Sequence, residues 1–119
     1  MQNRSRRVAL MAAVLASFAM AGCHSTPPPK PLDQLTEQEA RGHSVYQAHC
    51  AVCHYDRTSD AQHGPPLRGV FKKPYLPSGA PANDERVSAT VLHGRNLMPA
   101  QPQTDSQELA DLLAYLHTL

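Results

Sequence analysis

The stretch Cys50-Ala51-Val52-Cys53-His54 decides how this chain folds. C-x-x-C-H is the attachment signature of a c-type haem. Residues three apart at a helix end face the same way, so both sulfurs can reach the two vinyl groups of one porphyrin. His54 then stands beside the second thioether, where a ring nitrogen can ligate iron from one face. Other uses of these residues fit less well. A thioredoxin-like C-x-x-C needs a βαβ setting, and no strand pattern precedes Cys50. Structural zinc needs four ligands, and the chain holds no second C-x-x-C and no H-x-x-x-H. A Cys50–Cys53 disulfide suits an exported protein but leaves His54 without a role.

Working outward, Thr36-Glu37-Gln38-Glu39 has the form of a capping box that starts a helix. Apolar or small positions follow at Gly42, Val45, Tyr46, His49 and Cys53, the face of an amphipathic helix. A mid-helix glycine costs about 1 kcal/mol relative to alanine, so Gly42 predicts another backbone packed closely against it. A second helix is expected from an Asn83 cap through Leu92, with Asp84 and Glu85 at its positive end and Gly94 just past its close. A last helix starts at Thr104 or Asp105 and carries a Leu109, Leu112, Leu113, Leu116 stripe at i, i+3, i+4, i+7. Between Tyr55 and Pro81, glycines and prolines mark loops without periodicity. The fold class is all-α, three to four helices with long connections around one covalently bound haem, over residues 36–119. Connections of that length need something to wrap.

The 119 residues are 41% hydrophobic and 18% charged, with aromatics at 5% and no tryptophan. A disordered chain is excluded by that balance, and something other than aromatic side chains must fill the interior. Met1 to Arg7 carries three arginines and no acid, and Val8 to Ala21 is an almost unbroken apolar run. Its fourteen residues suit an export signal and fall short of the ~20 that span a bilayer. The run ends in Met20-Ala21-Gly22-Cys23, which looks like a lipobox. Residues 1–22 are then a signal peptide, and Cys23 is the lipidated new N-terminus. Ordinary cleavage after Ala19-Met20-Ala21 is the competing site. Either cut exports the protein. Removing Arg4, Arg6 and Arg7 from the 11 basic residues leaves eight against ten acidic ones, a net of −2 and no basic field for nucleic acid. Residues 23–35 hold the anchor cysteine and a Pro-rich linker, Thr26-Pro27-Pro28-Pro29-Lys30-Pro31. From Cys23 to Leu32 it would span roughly 30 Å at ~3.1 Å per residue, a spacer between membrane and domain.

One haem leaves a sixth coordination position. Met1, Met11 and Met20 lie in the signal segment, so Met98 is the sole methionine of the mature chain. A methionine more often fills a core gap. Here a lone Met followed by Pro99, in a loop before the last helix, points to ligation instead. His63 and His93 are the rivals, the first too close to the attachment turn and the second placed to cap its own helix. His24, His43, His49 and His117 read as exposed or packing residues.

The stretch from about Glu39 to Leu119 resembles the class I monohaem cytochromes c of bacteria. Gly42-x-x-x-Tyr46 resembles that family's N-terminal helix, and Leu112-x-x-Tyr115 the C-terminal helix that crosses it. Gly64-Pro65-Pro66-Leu67-x-Gly69 resembles the loop whose proline carbonyl, here that of Pro65, accepts a hydrogen bond from the ligating histidine. Asn96-Leu97-Met98-Pro99 resembles the methionine-ligand loop. The resemblance implies a small cytochrome c fold, a haem c bound by Cys50, Cys53, His54, Pro65 and Met98, and iron held by His54 and Met98. The expected function is single-electron carriage in the periplasm between redox partner proteins, by a monomer held at the membrane through Cys23 and not acting as an enzyme. The alternative is a haem-based catalyst or gas-binding sensor with a labile sixth ligand.

Overall fold

Side-chain caps start all three α-helices in this computed structural model, which describes residues 25–119. The expected signal peptide, Cys23 and His24 lie outside the described residues. Helix α1 spans Glu37–His49; Thr36 Oγ1 accepts from the Glu39 amide at 3.3 Å, and Glu39 Oε2 accepts from the Thr36 amide at 2.7 Å. Helix α2 spans Asp84–His93, with Asn83 Oδ1 accepting from the Arg86 amide, and closes at Gly94, whose φ of 72° only glycine adopts freely. Helix α3 spans Ser106–Leu116, and of the two expected caps it uses Asp105, which receives the amides of Gln107 and Glu108. A single 3-10 turn, Leu32–Gln34, precedes α1. No helix among the described residues is long and apolar enough to cross a membrane.

Helix α1 crosses α3 at Gly42. A Cβ there would fall on the Asp111 carbonyl oxygen and within 2.8 Å of the Tyr115 Cβ, so the predicted close approach is real and only a hydrogen fits. Below the crossing, the rings of Tyr46 and Tyr115 lie 5.9 Å apart at a tilted angle. They join Val87, Val91, Leu112, Leu116 and Leu119 in one buried cluster. The leucine stripe splits accordingly: Leu112 and Leu116 are buried, while Leu109 and Leu113 are half-buried at the cluster's edge.

Two expectations need correction, and one buried acid was not foreseen. Helix α1 stops at His49, which is exposed, so Cys53 lies beyond the helix and off its buried face. Asp111, an acid between the leucines, is 3% exposed. Arg41 reaches it with Nε and Nη2 at 2.8 and 3.2 Å, and Gln107 Nε2 adds a third bond at 2.9 Å. The hydrogen-bonded guanidinium outweighs desolvation and holds the Asp111 carboxyl below the usual carboxylate range. Finally, the proline segment does not stand off the domain, because the Lys30 amide donates to the Thr118 carbonyl at 2.8 Å.

Replacing Gly42 by alanine forces the two helices apart. The expected cost is about 1–3 kcal/mol, net of the helix propensity gained. Chemical denaturation of the holoprotein measures it, and unchanged stability would mean that the crossing has slack.

Candidate haem site

The chain leaves α1 through a turn rather than a clean stop. Cys50 is the C-cap, its amide still bonded to the Tyr46 carbonyl at 2.8 Å. The amides of Cys53 and His54 then both converge on the Cys50 carbonyl, at 3.0 and 2.9 Å. This extra turn brings the two cysteines round as a helix end would, although neither lies in the helix. Both thiols are free and half-buried. Burial, then the neighbouring Cys53, pushes the Cys50 thiol up to about 11, so it stays protonated at neutral pH. A thiol-exchange role needs the opposite shift.

His54 is 8% exposed and fixed from several sides. Its Nδ1 lies 2.8 Å from the Pro65 carbonyl oxygen. A carbonyl can only accept, so Nδ1 carries a proton and Nε2 is the nitrogen left for a metal. Pro65 thus stands where the resemblance implied. Its acceptor is backbone, so the bond depends on the path of the loop more than on the proline ring. Gly64 sets that path: its amide donates to the Cys53 carbonyl at 2.7 Å, and a Cβ on it would come within 2.7 Å of His54 Nδ1. From α1, the Tyr46 hydroxyl donates to the His54 carbonyl at 2.7 Å. Burial, with the nearby Asp56 carboxylate, pushes that phenol up to about 12, so it remains a donor. Two unpaired thiols a turn apart and an imidazole whose Nε2 lies outside the Pro65 bond are a donor set that fits a haem.

The methionine loop is a tight turn. The amides and carbonyls of Arg95 and Met98 bond reciprocally, at 2.9 and 3.0 Å, across a left-handed Asn96 with φ of 53°. A Cβ on Gly94 would come within 2.6 Å of the Met98 carbonyl oxygen. Met98 is half-buried against the core cluster, whereas Leu97 beside it is 99% exposed. The rival ligands His63 and His93 are both exposed. His43 packs its ring 4.9 Å from Tyr115, and His117 stacks on Phe71 while Nε2 meets Asp84 Oδ1 at 2.7 Å.

Sequence reasoning placed Tyr46 only on an apolar face and missed its hydroxyl. The available signal was that a buried tyrosine needs a partner for its OH. It also read Gly64 as loop punctuation, and missed the hydrogen bond from the Tyr115 hydroxyl to Asp56 that ties α3 to the segment after His54.

The family described as "Cytochrome C oxidase, cbb3-type, subunit III" matches residues 37–116, which run from the first residue of α1 to the last of α3. The chain belongs to this cytochrome c family. A cytochrome c-553-like protein of Synechocystis sp. (strain ATCC 27184 / PCC 6803 / Kazusa) is 35% identical over 79 residues, covering 66% of this chain and 67% of the relative. The cofactor of such a domain is a covalent haem c, here attached through Cys50 and Cys53. The all-α fold expected from the sequence is therefore the cytochrome c fold, and haem-based electron transfer is its general activity.

Gly64→Ala tests how closely the loop must pass the ring. The added methyl pushes against His54, and the expected loss is about 1–3 kcal/mol in denaturation of the holoprotein, with less haem-stained product on a denaturing gel. Wild-type stability and haem yield would show that the loop shifts freely.

Proposed function

We propose that this cytochrome c is a single-electron carrier, exported to the periplasm and anchored there by lipidated Cys23, and that His54 and Met98 would hold the iron of its haem. When bound, the haem supplies an iron couple that takes up and releases one electron. His54 offers Nε2 to the iron, and the Pro65 carbonyl keeps the proton on Nδ1 while making the imidazole a stronger donor. Met98 offers a soft thioether that favours ferrous iron and raises the potential relative to a second histidine. With both residues holding the iron, redox change would need no ligand exchange and a substrate would find no open place on it.

The observation that carries this reading is the Met98 loop, fixed by reciprocal backbone bonds and with its side chain half-buried against the core. A ligand presented from a rigid turn loses little entropy on coordination. The two rival histidines are exposed, and neither stands in such a turn. The oxidase subunit named in the family description supports a respiratory redox protein as the partner class, and the net of −2 on the mature chain supports no nucleic-acid role. The domain works as a monomer in this reading, with donor and acceptor docking in turn.

Met98→Ala provides the test. The substitution should open the iron, lower the reduction potential and let carbon monoxide bind the reduced protein quickly, while the wild type resists it. Ready binding of carbon monoxide by the wild type, unchanged in Met98→Ala, would make Met98 a packing residue and favour a gas-binding or catalytic haem protein.

A further inference from the structure

The proline segment makes four separate ties to the domain. The Lys30 amide donates to the Thr118 carbonyl, beyond the end of α3. Arg57 Nη2 donates to the Lys30 carbonyl at 2.9 Å, three residues after His54. Lys30 Nζ meets Glu39 Oε2 at 2.6 Å, on the first turn of α1. Arg68 Nη2 donates to the Thr26 carbonyl at 3.3 Å. Beside that last bond the Thr26 methyl presses on Gly69, a buried glycine at φ 68° where a Cβ would overlap it. Proline rings keep the segment extended between these ties, and ordering it costs little because the free chain is already stiff.

We propose that residues 26–30 are a docked strap, and that the strap seats the Arg68–Lys73 face of the domain on the lipid surface that holds Cys23. The proposal rests on the reading that Cys23 is lipidated. A free spacer from Cys23 to Leu32 would let the domain tumble at roughly 30 Å from the surface. With Thr26 bound at Arg68 and Gly69, only His24 and Ser25 separate the anchor from the docked residue. The three Cα-to-Cα steps from Cys23 to Thr26 reach at most about 10 Å. That is too short for the domain to present its far side to the membrane. The segment at the exit point, Arg68-Gly69-Val70-Phe71-Lys72-Lys73, carries two exposed cations, Lys72 and Lys73, beside the half-buried Arg68 and no acid, although the mature chain is net acidic. Lys73 is exposed, and Lys72 is exposed while its Nζ lies 3.2 Å from the His117 carbonyl. A lipid headgroup layer with phosphates is the surface this charge suits.

The experiment uses the full lipidated holoprotein, reduced, in a nanodisc of phosphatidylcholine with phosphatidylglycerol and a small fraction of lipid nitroxide-labelled at the headgroup. Amide signals of Arg68 to Lys73 should be attenuated at least several-fold more than those of α2. The Lys30 amide should also exchange with deuterium far more slowly than an unstructured peptide. Inserting ten Gly/Ser residues between Cys23 and Thr26 should abolish the selective attenuation and leave Lys30 protected. Even attenuation across a domain that stays with the nanodisc would overturn the seating alone. Fast exchange at Lys30 would overturn the strap. Protein that elutes free of nanodiscs, with no attenuation anywhere, would overturn the anchoring itself and the seating with it.

Discussion

The hydrogen bond from His54 Nδ1 to the Pro65 carbonyl is the constraint around which the rest of the domain is arranged. It fixes the tautomer of the imidazole, closes residues 54–65 into a loop, and leaves one nitrogen for the haem side. Everything that surrounds it limits motion of the same residue. Gly64 admits the ring because it has no side chain, Tyr46 grips the His54 carbonyl from α1, and the turn after α1 delivers both thiols beside it. Tyr46 is in place because α1 and α3 cross at Gly42 with no room for a methyl. The helix crossing and the loop thus converge on a single side chain.

The helices are 13, 10 and 11 residues long, below or near the length at which an isolated helix is marginal in water. Caps and tertiary ties therefore carry much of their stability. Asp111 shows how: a carboxylate buried in the helix interface is tolerable because Arg41 and Gln107 satisfy both oxygens. The tie from the Tyr115 hydroxyl to Asp56 does the same for the segment that follows the attachment turn. Each links parts of the chain far apart in sequence, Arg41 to Asp111 and Asp56 to Tyr115.

That difference between local and distant partners decides what could be read from the residues. The caps at Thr36, Asn83 and Asp105 were legible because a side-chain oxygen answers amides two or three residues on. Gly42 was legible because its helix cost has to be offset by something, and a close backbone is the usual something. Asp111 was not, since its partner Arg41 is 70 residues away and an acid in a leucine stripe reads as solvated. The stiffness of the proline segment was plain, but its docking depends on Thr118, Arg57 and Arg68. At the site, the cysteines, His54 and the Pro65 loop were readable as a motif. The Tyr46 hydroxyl was not, because apolar periodicity treats tyrosine as a hydrophobe.

His54 and Met98 would together hold the iron in the proposed electron carrier. Met98 is the one methionine among residues 25–119, so the proton spectrum of the reduced holoprotein tests this without ambiguity. A thioether bound to haem iron holds its methyl directly over the porphyrin, whose ring current shields it strongly. Ligation by Met98 gives a single three-proton line far upfield of every other methyl, absent from Met98→Ala. A Met98 methyl at the ordinary position for a packed methionine would contradict it.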